Sequence, residues 1–84
     1  MLNKFIGIGF VGRDPEERKI DGGSVVHVFS IATDRRWKDA QSGEWKKATD
    51  WVPISAWNKP WISDRIKKGD LVWVEGRFQA RSYE

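Results

Sequence analysis

Trp51 and Trp57 stand six residues apart in the run Thr49-Asp50-Trp51-Val52-Pro53-Ile54-Ser55-Ala56-Trp57. The run alternates as a strand does, sending successive side chains to opposite faces. Val52, Ile54 and Ala56 share one face and mark it as the core side, which leaves Thr49, Trp51, Pro53, Ser55 and Trp57 on the other. Two large aromatics, about 20 Å apart at ~3.3 Å per residue, are therefore expected on a face that is not core. Further aromatics come with cations: Trp37 beside Arg35, Arg36 and Lys38, Trp45 beside Lys46 and Lys47, Trp57 near Lys59, and Tyr83 near Arg81. Rings interleaved with cations suit a single-stranded nucleic acid, because each stacked base is worth about 1–3 kcal/mol while lysine and arginine neutralise phosphates. Every base has a π-face, so the expected sequence preference is weak.

The remaining tryptophans have plainer readings. Trp61 suits packing of a helix on the sheet, while Trp45 at a loop edge and Trp73 among charged neighbours stay open between packing and ligand. A protein–protein interface is the competing use for Trp51 and Trp57. Material for catalysis is thin. There is no cysteine, and His27 is the only histidine, read as structural. Asp14, Glu16, Glu17 and Asp21 read as turn and surface acids, with no metal-ligand spacing and no glycine-rich phosphate cradle between a strand and a helix. No catalytic residue, metal or cofactor is expected, and the chain is not read as an enzyme. The net charge of +3 and the isoelectric point near 9.5 make a polyanionic partner plausible without requiring one.

These residues must be carried by few elements. A chain of 84 residues is one small domain, 1–84. Residues 3–12 read as a first strand, Gly12-Arg13-Asp14-Pro15 as a turn, 16–21 as too charged for core, and 25–33 as a second strand. Residues 34–47 read as a polar, basic connection with its tip at Asp39-Ala40-Gln41-Ser42-Gly43, and 48–57 as the third strand. Pro53 has no N–H to donate, which restricts it to an edge or a non-bonding position. A short helix after Pro60 is expected to present Trp61, Ile62 and Ile66 on one side and to stop at Gly69. A fourth strand, 70–80, would put Val72, Val74 and Phe78 on one face and Leu71, Trp73, Glu75 and Arg77 on the other. Four strands and a short helix suggest a small all-β antiparallel barrel or half-barrel. The apolar run Phe5–Val11 is short and leads straight into charged residues, so it reads as a strand of an intracellular protein, with no membrane span.

In order along the chain, several blocks resemble the bacterial single-stranded DNA-binding protein family, whose fold is the five-stranded Greek-key oligonucleotide/oligosaccharide-binding (OB) barrel. They are Asn3-Lys4-Phe5-Ile6 with Gly12-Arg13-Asp14-Pro15, then Phe29-Ser30-Ile31-Ala32-Thr33 with Trp37-Lys38-Asp39 and Gly43-Glu44, then Thr49-Asp50-Trp51, and finally Lys67-Lys68-Gly69-Asp70-Leu71-Val72-Trp73-Val74-Glu75-Gly76-Arg77. Each block is weak alone, but the combination is specific and covers nearly the whole chain. The resemblance implies that Trp37, Trp51, Trp57 and Tyr83 stack bases, and that Lys4, Arg18, Lys59, Lys68 and Arg81 contact the phosphate backbone; Arg77 is a further candidate nucleic-acid-binding cation. Arg35, Arg36, Lys46 and Lys47 join them as cations next to rings. It further implies non-enzymatic binding of single-stranded DNA in replication, recombination and repair, a cytoplasmic, nucleoid-associated location, and assembly into a homo-oligomer, dimer or tetramer.

Three departures stand out. Val52-Pro53 occupies positions that are His-Arg in the family, associated with subunit and phosphate contacts, and the helix is shorter than in relatives. The sequence stops at Glu84, where the family continues with a strand that closes the barrel and a tail whose acidic tip recruits replication and repair proteins. Two other functions compete. A primosome-type OB adaptor would use the fold mainly for protein contacts. A carbohydrate-binding module would display tryptophans on a flat sheet but bind without regard to salt.

Overall fold

The computed structural model describes residues 1–79. Five strands and one helical turn follow the order β1 (Phe5–Val11), β2 (Glu16–Ile20), β3 (Ser24–Lys38), β4 (Trp45–Trp57), α1 (Ile62–Arg65) and β5 (Leu71–Gly76). All pairings are antiparallel: β1 lies between β3 and β5, while β2 and β4 both pair with β3. Phe29 and Ile31 of β3 and Val11 of β1 form the buried centre. Val52, Ile54 and Ala56 of β4, Val72 and Val74 of β5 and Ile66 pack round it. The inward residues of β4 and β5 are those that alternation assigns to the core.

Several boundaries differ from the sequence expectation, each for a physical reason. The first strand is Phe5–Val11 rather than 3–12. Glu16–Ile20, too charged for core, is a strand nonetheless. It is exposed throughout and needs only its backbone ladder to β3, Glu16↔Val28 to Ile20↔Ser24, and a charged, short outer strand resists further pairing. The polar stretch 34–47 is no loop but the outer half of a long hairpin, so β3 and β4 outrun the expected 25–33 and 48–57. Its register runs unbroken from Val26↔Trp57 to Lys38↔Trp45. Backbone pairing with diagonal ion pairs holds such an arm together without any core.

The helix is a single turn whose chain is already extended at Ile66, so Gly69 does not end it. Gly69 instead takes φ +91° in the turn before β5. Ile62 is buried at 2%, whereas Trp61 keeps 47% of its surface exposed. The anchor of α1 is therefore Ile62, not the tryptophan. The strand expected over 70–80 is Leu71–Gly76, and Phe78 lies beyond it, exposed. The side-chain amide of Asn3 holds Phe78 in place, donating to its carbonyl at 2.7 Å and accepting from its N–H at 3.0 Å.

The arrangement is an OB barrel with one open seam. Among the described residues, β4 pairs only with β3 and β5 only with β1. Between their free edges runs an apolar groove of about 1380 Å³, walled by Val52, Ile54 and Ala56 on one side and Val72 and Val74 on the other. Pro53 fits this plan. Ser30, its partner in register, sends its carbonyl the other way, to the Gly12 N–H at 3.0 Å, so the nitrogen of Pro53 faces the free edge where no donor is used.

Candidate nucleic-acid interface

β4 places Trp51 and Trp57 as its alternation demands. Val52, Ile54 and Ala56 turn to the core, and the two rings project from the opposite face, 60% and 51% exposed. Trp57 is fixed by the strand end. Asn58, at φ 56°, donates its backbone N–H to the Val25 carbonyl at 2.7 Å and accepts from the Val25 N–H through Oδ1 at 3.1 Å. Trp51 lies over Gly12. A Cβ built on that glycine would come within 2.5 Å of Trp51 Cζ3, so the missing side chain is what lets the ring settle there. A cleft of about 580 Å³ beside the ring is lined by Arg13, Glu16, Arg18 and Ser30. Arg13 and Gly12 were not expected at the site. Nothing in the turn-forming run Gly12-Arg13-Asp14-Pro15 signals that it will fold back against β4.

The other expected site residues divide. On the hairpin, directly opposed residues share a face: Ala32 with Trp51, Arg36 with Lys47, Lys38 with Trp45. Trp37 pairs with Lys46 and therefore belongs to the reverse face, with the Arg35 guanidinium 5.3 Å from its ring centroid. The structure thus does not bring Trp37 onto the Trp51–Trp57 surface. Trp45, by contrast, is on it.

Several expected phosphate contacts are already paired. Arg35 Nε lies 3.0 Å from Asp50, Lys46 Nζ 2.9 Å from Asp39, Lys47 Nζ 3.3 Å from Asp34, and Arg18 Nε 3.1 Å from Glu16. The carboxyls of Glu16, Asp34 and Asp39 titrate below their ordinary range. The hydrogen bond from Arg18 is the main cause for Glu16, that from Lys46 for Asp39, and that from the Thr49 hydroxyl, followed by Lys47, for Asp34. Lys59 and Arg77 line the apolar groove beside Trp57. Lys4 precedes β1, and Lys68 sits against the β1–β2 turn, its backbone N–H donating to Asp14 at 2.8 Å. Tyr83 and Arg81 lie outside the described residues.

His27 is structural, as expected: it is fully buried, with Nε2 2.7 Å from the Ser63 hydroxyl, and it ties β3 to α1. Among the described residues no group of three or more His, Cys, Asp and Glu side chains is disposed to hold a metal, and no helix is long and apolar enough to cross a membrane.

The OB barrel thus turns Trp45, Trp51 and Trp57, exposed and with cations beside them, away from its core. Comparison with known proteins gives its family: the profile of the single-strand binding protein family matches residues 2–84, and the chain belongs to that family. It is 42% identical over 85 residues to a single-stranded DNA-binding protein of Neisseria meningitidis serogroup A, covering 99% of this chain and 48% of that one. Single-stranded DNA-binding protein 1 of Chlorobaculum tepidum is likewise 42% identical, with 99% and 52% covered. The chain thus spans about half the length of these curated relatives. Among solved structures it superposes on the Plasmodium falciparum SSB complex with ssDNA, with a TM-score of 0.85 and 36% identity over 92% of this chain and 69% of the other. A deletion mutant of the single-stranded DNA-binding protein from Thermus aquaticus matches with the same TM-score, 0.85, at 27% identity, covering 99% of this chain and 41% of that one.

Proposed function

We propose that this chain binds single-stranded DNA with little sequence preference and performs no chemistry on it. Trp51 and Trp57 carry this reading: two exposed indoles on the face opposite the core, one seated on Gly12 and the other held at a capped strand end. Bases stack on the rings while Arg13 and Arg18 near Trp51, and Lys59 and Arg77 near Trp57, neutralise phosphates. The names of the relatives and a neighbour solved with ssDNA support the same ligand. Trp37 serves a strand that wraps round the edge of the hairpin to its reverse face. In the cell this activity belongs to replication, recombination and repair in the cytoplasm, at the nucleoid.

Addition of poly(dT) should quench tryptophan fluorescence, and affinity should fall steeply with salt, by about 0.7 in log K per log salt for each phosphate neutralised. Unchanged fluorescence at low salt with excess poly(dT) would sink the proposal. Salt-independent binding of an oligosaccharide would favour a carbohydrate-binding module. Retention of DNA binding by Trp51→Ala and Trp57→Ala, with loss of a protein partner, would favour the adaptor.

Assembly is part of this reading. Ile8 opposes Trp73 and Phe10 opposes Leu71 across the β1–β5 pair, and all four are exposed on its outer side. A contiguous apolar patch on neighbouring strands suits cover by a second copy. Light scattering should give a mass of two or four chains, falling to one in Ile8→Lys/Trp73→Glu. A single-chain mass for the unsubstituted protein refutes assembly.

A further inference from the structure

We infer that Trp45 is a third base-stacking ring, and that the bound strand continues from the barrel out along the β3–β4 arm. This rests on the binding function proposed above and extends its site. Trp45, Trp51 and Trp57 recur every six residues on one strand, and their partners in register, Lys38, Ala32 and Val26, keep all three on one face. At ~3.3 Å per residue the intervals are about 20 Å each, a track of roughly 40 Å. A packing role for Trp45 has no counterpart: the core centres on Val11, Phe29 and Ile31 at the other end of the hairpin, and Trp45 is the most exposed of the three rings at 72%.

The surface between Trp45 and Trp51 has the chemistry to match. Lys38 lies across from Trp45, and the next pair on that face is Arg36 with Lys47. Asp34 is the acid on this stretch and engages Lys47, whereas Arg36 and Lys38 have no carboxylate within salt-bridge distance among the described residues. Two cations that make no ion pair and a third paired with Asp34 thus stand between two rings, the pattern that tracks a phosphate backbone past stacked bases. Lys38 therefore joins the interface with Trp45.

The test uses Trp45→Ala, Trp45→Phe and Trp51→Ala with labelled oligo(dT) of increasing length, read by anisotropy so that the lost indole does not affect the signal. Trp51→Ala should weaken binding at every length. Trp45→Ala should match the unsubstituted protein on short oligonucleotides and bind those long enough to reach the arm about 5- to 140-fold more weakly, the factor expected for one lost stack. It should also occlude a shorter stretch of poly(dT), and Trp45→Phe, which keeps a ring, should restore most of the loss. Equal affinity of Trp45→Ala and the unsubstituted protein at all lengths, with Trp51→Ala impaired, overturns the third ring and leaves the function standing. No binding by any of the proteins overturns both.

Discussion

Replacing Gly12 by alanine separates the presence of the Trp51 ring from its position. The new Cβ would lie 2.5 Å from Cζ3, 3.2 Å from Cη2 and 3.4 Å from Cε3 of the indole. Carbon atoms rest at about 3.5–4.0 Å, so the near edge of the ring must retreat by roughly 1 Å. The backbone has no reason to object. Gly12 lies outside the left-handed region that favours glycine, and its N–H bond to the Ser30 carbonyl is unaffected by a methyl group. The ring, mostly in solvent, can swing away cheaply, which holds the stability change to about 0.5 kcal/mol, as for an ordinary surface substitution. Stacking is less forgiving, because a full stack is worth about 1–3 kcal/mol and a displaced ring keeps only part of it. A loss on the order of 1 kcal/mol weakens binding about five-fold. Anisotropy titration with labelled oligo(dT), alongside urea unfolding, reads both quantities. Gly12→Ala should bind about five-fold more weakly with its unfolding midpoint almost unmoved, and less weakly than Trp51→Ala abolishes the stack. Unchanged affinity, or an affinity loss fully accounted for by unfolding, refutes the view that Gly12 seats the ring.

Gly9→Ala should do the opposite. Its Cβ would run into the backbone carbonyl of Ala32, which cannot swing aside, so overpacking should cost about 1–3 kcal/mol of stability by urea unfolding, while the folded fraction binds DNA normally. Ser63→Ala leaves His27 Nε2 buried without its partner, in a ring whose Nδ1 already has none, and should cost about 1–3 kcal/mol, read as a lowered melting temperature. Asp34→Asn releases Lys47 toward phosphate and should steepen the salt dependence of poly(dT) binding by about 0.7 in log K per log salt; an unchanged slope refutes competition by Asp34. Because Glu16, Asp34 and Asp39 are held below the ordinary carboxylate range, their contribution to stability is complete above that range. It is lost as the pH falls through their lowered folded values, so acid unfolding should show a decline confined to about pH 4 and below.

Where side chains alternate strictly, the sequence foretold the structure. Val52, Ile54 and Ala56 against Trp51 and Trp57, and Val72 and Val74 against Leu71 and Trp73, fall on the faces their parity demands, because one face must be buried and a slip of one residue would invert it. Where nothing is buried, parity has nothing to report. Glu16–Ile20 and the outer half of the β3–β4 hairpin are built from backbone ladders and charged pairs, and to a hydrophobic pattern they look like loops. The placement of Trp37 on the reverse face was hidden for the same reason. Read as part of a connection, it carried no face, and only the register with β4 assigns it to the side opposite Trp51.

The same register changes what the cations mean. Taken from the sequence, Arg35, Lys46 and Lys47 are basic residues next to aromatic rings. In the fold each sits beside a carboxylate that reaches it diagonally across the hairpin or from its turn, so part of the positive charge serves to hold the arm straight. A count of lysines and arginines therefore overstates the phosphate footprint. Arg36 and Lys38 on the ring face, and Arg13 beside Trp51, make no ion pair among the described residues, and two of these three lay outside the expected set. The pairing also explains why an arm with no core can bear tryptophans at all. Asp34 and Asp50 fix the two strands against each other, the backbone ladder fixes the alternation, and the rings are then delivered at six-residue intervals with their faces free.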